Sequence, residues 1–95
     1  MLTLPIKKKW FDMIKSGEKK EEYREIKPYY DNRFKIYPPY ESDFDSIIFR
    51  NGYRKDSPKI KCYCYISRNY GKEEWGAEKD KLYYVLKILS VEEVK

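Results

Sequence analysis

The segment Lys59-Ile60-Lys61-Cys62-Tyr63-Cys64-Tyr65-Ile66 constrains the chain more than any other. Apolar and polar or hydroxylated residues alternate through it without a break, and a period of two marks a strand with one covered face. Ile60, Cys62, Cys64 and Ile66 are expected to face a core, with Lys59, Lys61, Tyr63 and Tyr65 on the other side. Two readings stay open for Tyr63 and Tyr65: a second buried face, or exposed rings beside the lysines on which nucleobases stack. Both cysteines then serve as small core hydrophobes. A disulfide across one intervening residue would be strained, and two thiolates in a chain without histidine cannot complete a zinc site. Reduced thiols and a cytoplasmic setting are expected.

The remaining elements follow from similar patterns. Residues 1–6 read as a short strand, and a helix follows from Lys7 with Ile6, Trp10, Met13 and Ile14 on one face. Lys7, Lys8, Lys9 and Lys15 fall on its wet side, and Gly17 supplies a left-handed stop. Lys20–Ile26 reads as a strand whose Glu21, Tyr23 and Glu25 oppose Lys20, Glu22, Arg24 and Ile26. Pro28 can open a helical turn that places Tyr30 and Phe34 one turn apart. Tyr37-Pro38-Pro39-Tyr40 reads as a loop that runs on through acidic Glu41, Asp43 and Asp45. Ser46–Arg50 is a strand and Asn51-Gly52 a tight turn, followed by a loop over Tyr53–Pro58. Residues 67–81 read as a long irregular segment, a length more often functional than idle. Leu82–Val91 is the last strand.

The expected fold is α+β, a single domain over residues 1–95. It would be a small mixed β-barrel of about five strands with one or two short helices, one of them plugging an end. Its core is expected from Trp10, Tyr23, Phe49, the Ile/Cys row and the last strand. Eleven tyrosines, four phenylalanines and two tryptophans provide for such a core despite a mean hydropathy of −0.93. No apolar run approaches a bilayer span, and the opening MLTLPIKKKW has no signal-peptide core, so no membrane association is expected.

The absence of histidine removes imidazole acid–base chemistry and Ser-His or Cys-His nucleophiles from consideration. The net charge of +5 is unevenly placed. Residues 1–35 carry +4, residues 36–48 carry −3, residues 49–72 carry +6 and residues 73–95 carry −2. Such a distribution on a small body favours a polyanion or a small anionic ligand, against the plain alternative of charge for solubility.

One constellation carries potential chemistry: Gly17-Glu18-Lys19-Lys20-Glu21-Glu22-Tyr23-Arg24. Gly17 turns the chain out of the helix, Lys19 sits in the turn, and Glu22 and Arg24 share a strand face. A surface ladder of ion pairs is the plain reading. The functional one is a basic cleft at the corner between the first helix and second strand. There Arg24 offers a planar fork for phosphate or a base edge, and Lys19 a mobile charge. Glu22 would accept a hydrogen bond from an exocyclic amine. Arg50 and Asn51, ending a strand beside a turn, are further binding candidates or ordinary hairpin chemistry. As an enzyme, the chain would use Lys19 as a base of lowered pKa, Glu22 as acid or water-orienting group, and Arg24 to stabilise an oxyanion.

Gly17, Lys19, Glu22 and Arg24 match the G-x-K-x-x-E-x-R signature of ASCH domains, relatives of the PUA domain. Together with LPIKKKWFDMIKSGEKKEEYREIKPYY, IIFRNGY and EEWGAEKDKLYYVLKI, they make nearly the whole chain resemble a small stand-alone bacterial or phage ASCH protein. The resemblance implies a PUA-like β-barrel with a cleft lined by the signature residues, and RNA or a modified nucleoside as partner. One branch is similar to amidohydrolases acting on N4-acetylcytidine, and has threonine where this chain has Glu22. Another branch cleaves RNA. The expected function is therefore RNA or nucleoside binding through Gly17, Lys19, Glu22, Arg24, Arg50 and Asn51. Hydrolysis of RNA or an acylated nucleobase, and a regulatory protein-interaction module, are the alternatives. No metal and no cofactor is expected, and a monomer is favoured.

Overall fold

The computed structural model describes residues 2–35 and 41–94. In chain order it contains β1 (Leu2–Ile6), α1 (Lys8–Ser16), β2 (Glu21–Arg24) and α2 (Pro28–Phe34). These are followed by β3 (Glu41–Asn51), β4 (Lys59–Tyr70), a 3-10 turn at Glu73–Trp75 and β5 (Leu82–Val94). The five strands form one curled half-barrel sheet in the order β1-β3-β4-β5-β2, and the fold is a small α+β barrel-like one. β1 pairs with β3 in parallel, and every other pairing is antiparallel.

Local chemistry explains most element ends. Gly17 caps α1 at φ 87°, the left-handed conformation that its missing Cβ permits, and donates its N–H to the Ile14 carbonyl. Pro28 opens α2 where its absent N–H loses nothing, and Tyr30 stacks on Phe34 with ring centroids 5.6 Å apart. The alternation in β4 sorts as its pattern dictates: Ile60, Cys62, Cys64 and Ile66 are all buried. They join Leu4, Ile6, Ile47, Phe49, Tyr84, Leu86 and Ile88 in one core cluster.

Four expectations are corrected. The acidic stretch Glu41–Asp45 is the start of β3, and 67–70 extend β4, because Glu41 pairs with Ser67 across an irregular register and the long hairpin carries these residues into the ladder. The loop expected at 37–40 lies outside the described residues. On α1 the buried pair is Phe11 and Ile14, whereas Trp10 and Met13 are only half-buried. Ile6 of the same stripe is buried, and Trp10 packs against the core cluster from its half-buried position. Tyr23 belongs to a second small cluster with Ala77, Tyr83 and Val85.

Candidate functional site

β1 and β2 are the two edges of the half-barrel, and among the described residues no ladder hydrogen bonds join them. Arg24 spans the seam. Its Nη2 donates to the Pro5 carbonyl of β1 at 2.9 Å and to Glu22 Oε2 at 2.8 Å, and its Nη1 donates to the Tyr30 hydroxyl of α2 at 3.1 Å. The planar guanidinium can satisfy three acceptors from three elements at once, which an ammonium on a flexible stem does less well. Arg24 Nε is buried and has no hydrogen-bond partner among the described residues.

Glu22 lies between two cations. Its Oε1 is 3.1 Å from Lys19 Nζ and its Oε2 is held by Arg24. Period two in β2 puts Glu22 and Arg24 on one side, as the sequence pattern requires. Lys19 arrives from the turn after Gly17, and its side chain is fully enclosed. Its Nζ donates to the Trp75 carbonyl at 2.9 Å and lies 4.9 Å and 5.0 Å from the centres of the Trp10 and Tyr23 rings. Burial pushes the Lys19 ammonium below its usual value, and the attraction of Glu22 recovers only part of the loss. For Arg24 burial also favours the neutral form, but Glu22 and the Tyr30 hydroxyl outweigh it and raise its pKa.

A cleft of about 580 Å³ opens along the seam. Glu22 and Arg24 lie in its lining, and Trp10, Tyr23, Tyr30, Tyr53, Trp75 and Tyr83 supply aromatic walls. Lys7, Lys8, Lys27 and Lys81 stand at it together with Glu25 and Glu78. Lys81 is 3.3 Å from Glu78, and Lys8 is 2.5 Å from Asp12, so part of this rim charge is already paired. The segment after β4 closes one side of the cleft. It is fastened by Lys19 at Trp75, by the Lys72 N–H on the Tyr23 hydroxyl, and by the Glu78 N–H on the Tyr83 hydroxyl, the latter two at 2.9 Å. Gly76, at φ 98°, lets the backbone press on Trp10, where an added Cβ would stand 3.0 Å from the ring.

The sequence candidates therefore divide. Glu22, Arg24 and Asn51 line the cleft. Lys19 does not: it is sealed behind the cleft wall, contrary to the expected mobile charge in a basic hollow, because the Trp75 carbonyl and two rings close over it. Gly17 and Lys19 border a separate recess of about 110 Å³ beside Ile88–Val91. Arg50 turns its Nε to the Gly52 carbonyl at 3.1 Å and serves the turn. Trp10, Tyr53, Trp75 and Tyr83 also line the cleft, although no local pattern marks them as a group. For Trp75 a signal existed, in the Trp-Gly pair within a long connection.

Fold and site together define a small α+β half-barrel whose open seam forms an aromatic-walled cleft over a buried Lys–Glu–Arg triad. Comparison with family models, curated proteins and solved structures finds no match for the chain.

Proposed function

We propose that the protein is an ASCH-like module that binds RNA or a modified nucleoside in the seam cleft. The observation that carries this reading is the pairing of aromatic walls with the Glu22 carboxylate and Arg24 guanidinium in one hollow of about 580 Å³. That volume lies in the usual range for small-molecule sites. Flat rings favour a flat, polarisable ligand, and Asn51, with the lone pairs of Glu22 that Lys19 and Arg24 leave unused, offers hydrogen-bond partners for a base edge. In this reading the protein acts as a monomer in a cytoplasmic setting, and the two buried cysteines without a disulfide support that setting.

A titration with single-stranded RNA and with cytidine derivatives, followed by amide and indole chemical shifts, tests the reading. Shifts are expected at residues 21–24, at Asn51, and at the indoles of Trp10 and Trp75. Their absence at millimolar ligand, or shifts confined to the far side of the sheet, would remove it. The hydrolase alternative has one observation in its favour, the burial of Lys19 beside Glu22, which pushes its ammonium below the usual value. Enclosure of that amine between Trp10, Tyr23 and the Trp75 carbonyl speaks for a structural role instead. Turnover of RNA or N4-acetylcytidine that disappears in Lys19→Ala, with the fold intact, would reverse that preference.

A further inference from the structure

The outer face of the half-barrel carries a second concentration of rings. Strand register places Phe44 opposite Tyr65 and Ser46 opposite Tyr63. Phe44 stacks on Tyr63 with centroids 5.6 Å apart and planes 18° apart, and meets Tyr65 at 5.2 Å and 52°. Cross-strand aromatic pairs stabilise a sheet modestly, but that role is served best by rings that cover one another from water. Here Phe44 remains 52% exposed and Tyr63 43%.

Cations flank this column. Lys87 stands opposite Tyr65, and Lys61 precedes Tyr63 by two residues on the same face, a rise of roughly 7 Å. Glu92 is opposite Lys61 and Glu21 opposite Lys87, yet neither lysine forms an ion pair among the described residues. Glu21 instead accepts a hydrogen bond from the Tyr23 hydroxyl at 2.7 Å.

We infer that this face is a second binding site, a stacking platform for single-stranded nucleic acid built on Phe44, Tyr63 and Tyr65 with Lys61 and Lys87 taking phosphates. Phe44 and Tyr63 offer exposed π-faces that any base can continue, with Tyr65 half-buried beside them, and Lys61 and Lys87, which form no ion pair among the described residues, supply the sequence-independent attraction of a polyanion. A protein partner is favoured less, because the centres of protein interfaces are depleted in lysine. The inference does not depend on the cleft.

The test is fluorescence anisotropy with a labelled oligouridylate of about twelve nucleotides, within the usual site size of such surfaces. Tyr63→Leu and Phe44→Leu keep apolar area and remove stacking, and each is expected to weaken binding about 5- to 100-fold. Tyr63→Trp retains a ring and is expected to bind at least as well as the parent. Lys61→Gln and Lys87→Gln should each flatten the salt slope by about 0.7. Thermal unfolding of every variant establishes that the fold is kept, and the lysine variants and Tyr63→Trp carry the test if a leucine variant does not fold. The proposal is overturned if the wild-type protein fails to bind the oligonucleotide at low salt, or if the leucine variants bind unchanged. It is also overturned if they abolish only a dimer seen by sedimentation. Binding lost in Asn51→Ala but kept in Tyr63→Leu removes this site and leaves the cleft. The converse, with no nucleoside response at the cleft, removes the cleft and leaves this site.

Discussion

Replacing Glu22 by Gln keeps the shape of the side chain and deletes one charge from a place where two cations depend on it. Lys19 Nζ at 3.1 Å and Arg24 Nη2 at 2.8 Å both lose their counter-charge, in side chains that are 0% and 12% exposed. Lys19 can escape by shedding its proton, towards which burial already pushes it. Arg24 has no such escape, since guanidinium does not deprotonate in proteins. Stranding a buried charge costs about 3–5 kcal/mol, against a total stability of roughly 5–14 kcal/mol for a chain of this length. The midpoint of thermal unfolding is therefore expected to fall by about 12 °C or more. Lys19→Met is milder, about 1–3 kcal/mol, because Arg24 still neutralises Glu22. The double variant should cost less than the two single costs together, by about 1–3 kcal/mol, since the methionine removes one of the stranded cations. Urea unfolding followed by tryptophan fluorescence gives all three values, with Trp10 and Trp75 beside the triad as reporters. A Glu22→Gln cost below about 1 kcal/mol, or strict additivity in the double variant, would refute the view that one carboxylate neutralises both cations.

Three further outcomes are expected. Gly71→Ala places a Cβ 2.6 Å from the Ala77 Cβ and 2.7 Å from the Tyr23 ring, so it should destabilise by about 1–3 kcal/mol in urea unfolding and loosen the segment that closes the cleft. Arg24→Lys cannot reach Pro5, Tyr30 and Glu22 together, and a loss of about 1–3 kcal/mol by the same assay is expected. Burial pushes the Cys62 and Cys64 thiols up from 9.0 to about 12, so the native state holds protons that the unfolded chain releases. Their contribution is complete below pH 9 and is lost as pH climbs towards 12; alkylation at pH 8 should track global unfolding, and rapid modification of the native protein would contradict the burial.

The residue pattern determined which side of β4 is covered, though not which residues of α1 are buried. Alternation in β4 needs only the period of the strand, so the row Ile60, Cys62, Cys64 and Ile66 was legible. The αL stop at Gly17, the start of α2 at Pro28 and the shared face of Glu22 and Arg24 are local for the same reason. The tertiary structure alone decided partners. Nothing in β1 announces a parallel neighbour 45 residues along the chain, as in Leu2 against Ile47. Nothing in the stretch around Lys19 announces that the Trp75 carbonyl, 56 residues distant, would enclose its amine. Period and propensity record what a backbone does within a few residues. Burial of a charge depends on which remote groups solvate it in place of water, and that is settled only when the sheet closes.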